Sequence, residues 1–223
     1  MREQLPSGTP VEVSRPTGGA PSRGLVLIPD IAGLRSLFDD LVARLSEENG
    51  WAVAAVEPFP GRDHMRLEER MAAMASLDDD RQLADIVAAA DLLDVEPVGV
   101  IGFCMGGMYT LKAVSTGRFD RGAAFYGMIR VPDDWRGEGQ RDALDLLHAA
   151  AGTAERALAI IGTADPYTPA ADVDALEQEG ATVIRYEGAE HGFVHDPSRP
   201  AHRADDAADA WRRVIDWLNG RES

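Results

Sequence analysis

The sequence predicts an α/β protein: a mainly parallel sheet with helices on both faces. Short apolar runs rich in β-branched residues, among them Gly24–Ile28, Trp51–Val56, Val98–Phe103 and Ala157–Ile161, read as strands. Stretches with apolar residues at helical spacing alternate with them, such as Leu37, Phe38, Leu41, Val42 and Leu45. The strand runs are continuous rather than alternating in polarity, which is what burial under two helical layers requires.

In order along the chain, residues 9–13 and 24–28 are strand-like, separated by a Pro/Gly/Ser turn region at 16–24. Pro29–Leu34 is a loop. Ser36 opens a helix with Asp39 as its capping-box partner, and Asn49-Gly50 ends it. After the strand Trp51–Val56 come the loop Glu57–Gly61 and a charged, Met/Ala-rich stretch from Arg66 to Ser76. Asp78-Asp79-Asp80 reads as the cap of a helix carrying Leu83, Ile86, Val87 and Ala90, rather than as a metal site. Val98–Phe103 is a strand, and Met105–Thr116 a helix with Met108, Leu111 and Val114 on one side. Gly122–Tyr126 is strand-like, Gly127–Arg141 a long polar loop and 142–151 a helix. The strand Ala157–Ile161 enters the loop Gly162–Thr168, and Pro169 takes the first helical position, where its missing N–H costs nothing. Thr182–Tyr186 is the last strand, Gly188–Phe193 its loop, and 202–218 an amphipathic helix.

The 223 residues contain no Ser/Gly linker, low-complexity tract or solenoid repeat, so one domain over 1–223 is expected. No stretch has the apolar core of a signal peptide or the length of a membrane span, and a cytoplasmic location is the simplest expectation. A single cysteine excludes an internal disulfide and a four-cysteine zinc site. His64, His148 and His202 show no helical pairing of the kind a zinc hydrolase uses, and neither metal nor cofactor is expected. The net charge of −16 argues against nucleic acid and against anionic membrane surfaces, leaving a small molecule as the expected partner. An anionic substrate would need a local arginine working against the global field. Oligomeric state is open.

Gly102-Phe103-Cys104-Met105-Gly106-Gly107 joins a predicted strand directly to a predicted helix through G-x-C-x-G, the layout of a nucleophile elbow. Glycine is needed at 102 and 106 because strand and helix approach too closely for a Cβ. The turn lifts the cysteine to the carboxyl end of the sheet, against helix amides and the positive end of the helix dipole, which favours thiolate. Asp165 and His191 each follow a later strand, so cysteine, acid and histidine occur in the chain order of an α/β-hydrolase triad. Singly, Asp165 is also what a turn before Pro166 uses, and Cys104 also reads as a small buried thiol. Together they form a set: the histidine takes the nucleophile's proton and the acid orients the ring. Asp30 also follows a strand, so all four side chains open on one face of the sheet.

With these elements the chain resembles the dienelactone hydrolases (carboxymethylenebutenolidases). The likeness is carried by Pro29–Leu34, Gly102–Gly107, Ala124–Gly127, Gly162–Asp165 and Glu190–Phe193. It implies an α/β-hydrolase fold with Cys104 as nucleophile, His191 as base and Asp165 as orienting acid. It also implies an oxyanion hole from the backbone amides of Ile31 and Met105. Two positions depart from the family pattern. Asp30 stands where the family carries a glutamate that meets the resting thiol, and is expected to modulate Cys104. His195 stands where the family carries a substrate-binding arginine four residues after the histidine. Candidate anion receivers are therefore Arg35, Arg62, Arg66 and Arg130, and Tyr126, Tyr167 and Phe193 are candidate pocket walls alongside His195. The expected activity is cysteine-dependent hydrolysis of a lactone or activated ester through a thioester. An acyltransferase or thioesterase on the same triad is the alternative. A redox-sensing thiol or a ligand-binding hydrolase fold is a further one, against which stand the absence of a second cysteine and the presence of Asp165 and His191.

Overall fold

A computed structural model describes residues 1–62 and 64–221. Its eight strands form one sheet: β1 (Arg2–Gln4), β2 (Pro10–Ser14), β3 (Gly24–Ile28), β4 (Ala52–Val56), β5 (Val98–Phe103), β6 (Arg121–Phe125), β7 (Ala157–Gly162) and β8 (Thr182–Tyr186). They lie in the order β1-β2-β4-β3-β5-β6-β7-β8. The first two strands run antiparallel to their neighbours, and β4 to β8 are joined through parallel pairs. In the register, Leu27 lies beside Ile101 and Phe103 beside Phe125. β3, β4, β5 and β7 are buried along their whole length, as their unbroken apolar runs require.

The helices are α1 (Ser36–Asn49), α2 (Leu67–Ala73), α3 (Asp79–Leu93), α4 (Met105–Val114), α5 (Ala143–Ala149), α6 (Ala170–Gln178) and α7 (Ala204–Leu218). On one face α4 packs on β5 and β6, flanked by α3 and α5. On the other, α7 packs on β6 and β7 and meets α1, where Arg44 lies over Trp211. α7 buries Ala207, Ala210, Val214 and Leu218, the stripe its sequence spacing predicts. Gly50 ends α1 in the left-handed conformation with φ of 68°.

Five sequence expectations change. Asp39 does not cap α1; its carboxylate accepts from Arg2 on β1, a strand too short and exposed to leave a sequence signal. α4 is buried on every side rather than on one, because the sheet and the helices α3 and α5 enclose it. The segment Gly127–Arg141 is largely core: Met128, Ile129, Val131 and Trp135 are buried, and Asp142 rivets it by accepting from the Val131 amide and Arg136. Asp78 does cap α3, accepting from the Arg81 amide, but Asp79 is buried and ion-paired with Lys112 at 2.8 Å. Pro169 sits at the N-cap of α6, one residue before its expected place.

Candidate active site

Cys104 sits between β5 and α4 with φ of 58° and ψ of −120°, a strained backbone for a side chain with a Cβ. Its amide donates to the Phe125 carbonyl at 3.0 Å, which locks the elbow to β6. A Cβ on Gly102 would stand 2.2 Å from the Gly106 carbonyl oxygen, and one on Gly106 would stand 2.1 Å from that of Ile28. Both glycines are therefore obligatory, as the motif predicts. The strain is retained where it presents a side chain: Cys104, 9 % exposed, lines a pocket.

The loops after β7 and β8 bring the other two residues together. They are knitted by the Ala164 amide on the Ala189 carbonyl and by the Gly188 amide on the Thr163 hydroxyl. Gly162 is the contact point, since a Cβ there would lie 2.3 Å from the Ala189 oxygen. Asp165 is buried; one carboxylate oxygen accepts the Tyr167 amide and the other faces His191 Nδ1 at 2.8 Å. The carboxylate fixes the tautomer, with Nδ1 carrying the proton. His191 Nε2 is buried without a hydrogen-bond partner, and both His191 and Cys104 line the same pocket. Burial disfavours the imidazolium, but the Asp165 hydrogen bond and the neighbouring Cys104 outweigh it and push the His191 pKa up to about 9. Hydrogen bonds of this kind commonly tighten only with substrate present.

Ile31 lines the pocket, and its amide has no acceptor among the described residues. Met105 is the first residue of α4, so its amide has no partner within the helix. Met105 follows Cys104 directly in the chain, and Ile31 shares its pocket. The loop that carries Ile31 is held from both ends. Asp30 accepts the Ala32 amide at 3.0 Å and a bidentate pair from Arg35 at 2.7 and 2.9 Å, while Glu57 accepts the Leu34 amide at 2.8 Å.

Asp30 also faces His195 Nε2 at 2.9 Å, and Tyr126 bonds His195 Nδ1 through its hydroxyl. Burial raises the Asp30 pKa, but His195 and Arg35 outweigh it, so the carboxyl lies well below the usual carboxylate range. Burial lowers that of His195, against the pull of Asp30. An ionised Asp30 needs a donor at Nε2, and a neutral imidazole then offers Nδ1 as acceptor to the Tyr126 hydroxyl. Asp30 lines the pocket beside Cys104, yet its hydrogen bonds go to Arg35, His195 and the Ala32 amide and none to the thiol.

Of the expected pocket walls Tyr167 lines the cavity, which measures about 480 Å³, as does the candidate anion receiver Arg35. Tyr126, Phe193 and His195 do not. Tyr126 and Phe193 are fully buried against each other behind the wall, and both ring nitrogens of His195 are engaged in the network beneath it. Arg62, Arg66 and Arg130 lie outside the cavity: Arg62 bonds Ser76, Arg66 stands at the N-terminus of α2 beside Glu69, and Arg130 is paired with Asp142 and Asp172. Sequence reasoning missed Arg199, Asp196, Leu67, Met71 and Trp135, all of which line the pocket. The Arg199 guanidinium lies over Gly192, where a Cβ would meet it at 2.7 Å, and has no side-chain hydrogen bond or ion pair among the described residues. A post-strand rule could not find these residues, because they come from α2 and from far along the segments that follow β6 and β8.

Among the described residues no cluster of three His, Cys, Asp or Glu side chains could hold a metal. No helix among them is long and apolar enough to cross a membrane.

The family model "Dienelactone hydrolase family" matches residues 11–221. A protein of Synechocystis sp. named "Putative carboxymethylenebutenolidase" is 30 % identical over 220 residues, covering 85 % of this chain and 82 % of the relative. The carboxymethylenebutenolidase of Rhodococcus opacus is 28 % identical over 206 residues, covering 87 % and 79 %. A solved structure from Klebsiella pneumoniae, described as a "Putative Dienelactone Hydrolase", superposes with a TM-score of 0.84 at 20 % identity over 98 % of this chain and 97 % of that one. The structural likeness establishes an α/β-hydrolase fold.

Proposed function

This chain belongs to the dienelactone hydrolase family, and on that premise we propose that it hydrolyses a lactone or activated ester through a thioester at Cys104. The observation that carries the reading is the meeting, in one pocket, of a strained elbow cysteine and an Asp165-oriented His191, with Ile31 in the pocket lining and the Met105 amide at the start of the helix that follows the cysteine.

Cys104 Sγ attacks the carbonyl carbon, and His191 holds the proton that leaves the thiol. The amides of Ile31 and Met105 receive the oxyanion, a role backbone donors fill without reorganising. When the intermediate collapses, the bond to the leaving oxygen breaks and the imidazolium protonates that oxygen. In a lactone the oxygen stays tethered as an alcohol or enol. His191, now neutral, takes a proton from water, and the hydroxide attacks the thioester to release the acid and restore the thiol. Asp165 stays ionised throughout and supports the imidazolium. Asp30 tunes the thiol through space in this reading, with Arg35 cancelling part of its charge.

Intact-protein mass spectrometry with a slow-turnover ester tests it. Wild type gains the acyl mass and Cys104→Ala does not. An adduct on Cys104→Ala, or unchanged turnover by that variant, refutes the nucleophile assignment. Acyl transfer to another acceptor would use the same adduct, and partition between water and an added alcohol or thiol separates the two.

A further inference from the structure

α2 is built inside out. Its Arg70 is 3 % exposed and donates to the Glu57 carboxylate at 2.8 Å, whereas Leu67 is 52 % and Met71 37 % exposed. Leu67 and Met71 are four residues apart, so they share one side of the helix, and both line the pocket that holds Cys104. In the same pocket Tyr167 is 43 % exposed; it stacks on Trp135 with centroids 6.3 Å apart and stands edge-on to His191 at 5.0 Å. Among the described residues, the large exposed hydrophobic side chains are these three and Met1. Scattered apolar side chains on a surface need no explanation, but a cluster around a nucleophile does. The arrangement is fixed in advance, because Glu57 bonds Arg70 while also accepting the Leu34 and Phe59 amides.

We propose that these side chains form a subsite for a flat apolar group of the substrate, an aryl or conjugated ring attached to the ester or lactone that Cys104 attacks. The proposal rests on the hydrolase reading above. A cavity of about 480 Å³ accommodates a ring as well as the reacting ester. A ring suits the walls better than an alkyl chain does: Tyr167 and Trp135 offer aromatic surfaces, and the Met71 thioether favours contact with an aromatic edge. The ring would cover the Leu67 and Met71 side chains that the helix leaves in water.

Steady-state hydrolysis of vinyl acetate, phenyl acetate and vinyl phenylacetate tests this, in wild type, in Leu67→Asn/Met71→Gln and in Tyr167→Ser. The three altered residues are surface-exposed, so the variants are expected to fold. In wild type at least one ring-bearing ester has a higher kcat/KM than vinyl acetate. In both variants the ratio of that kcat/KM to the value for vinyl acetate falls about tenfold, the scale set by apolar pocket contacts. Ratios that stay the same in both variants overturn the subsite while leaving the hydrolase reading intact. If wild type turns over none of the three esters and shows no acyl adduct at Cys104, the hydrolase reading fails and the subsite falls with it.

Discussion

His195 Nε2 lies 2.9 Å from the Asp30 carboxylate, tying the loop after β3 to the loop that carries His191. Tyr126, at the end of β6 with φ of 41°, completes the link through His195 Nδ1. One chain of buried bonds thus joins the segments that bear Ile31, the elbow's neighbour strand and His191. Its members are not interchangeable. His195→Phe leaves an ionised Asp30 and a buried hydroxyl without that partner, and is expected to cost about 1–3 kcal/mol in chemical denaturation. Tyr126→Phe, which removes one hydroxyl and leaves one acceptor open, is expected to cost about 1 kcal/mol.

Asp30→Asn removes a negative charge from the pocket and leaves the Arg35 guanidinium without its ionic partner. Both changes favour anionic sulfur. Alkylation of Cys104 by iodoacetamide near neutral pH should accelerate while turnover falls, because the loop bearing Ile31 loses its anchor. Identical alkylation rates in the two proteins would remove Asp30 from the electrostatics of the thiol.

In the proposed mechanism, activity falls as pH rises through about 9, where His191 loses the proton that this mechanism passes to the leaving oxygen. Asp165→Asn withdraws the interaction that supports the imidazolium, so the alkaline limb of kcat/KM should move to lower pH. The same linkage acts on stability. The folded-state pKa of about 9 exceeds the ordinary 6.5, so the contribution is complete below pH 6.5 and is lost as pH climbs through about 9. Cys104→Ala and His191→Ala act on one unit, so the double variant should be about as inactive as the worse single one.

Arg199 is the pocket guanidinium without a side-chain partner among the described residues. Arg199→Gln should raise KM about tenfold for an ester bearing a remote carboxylate and much less for its neutral methyl ester, a difference of about 1.4 kcal/mol. Equal effects on both substrates would show that the guanidinium does not receive the anion.

Lys112 and Asp79 are both fully buried, and burial pushes the lysine below its ordinary value against the pull of Asp79. Lys112→Met strands a carboxylate left, among the described residues, with the Arg141 amide at 2.7 Å and the Arg141 Nε at 3.9 Å, and should cost about 3–5 kcal/mol. Lys112→Met/Asp79→Leu should be less destabilised than the single variant, as read from denaturation midpoints.

The sequence by itself determined the parallel core, the elbow at Cys104 and the order of Cys104, Asp165 and His191, because these depend on local periodicity and on glycines that a close approach makes obligatory. Gly102 and Gly106 are legible one residue at a time; the partners of a long side chain are not. Tertiary structure decided that Asp30 bonds Arg35 and His195 rather than the thiol, and that His195 lies beneath the pocket rather than in its wall. It also decided that α2 buries its arginine and sets Leu67 and Met71 in the pocket that holds Cys104. Each outcome depends on groups far apart in the chain, Asp30 and His195 among them, whose pairing outweighs the cost of burying charge only once the fold has placed them within bonding distance.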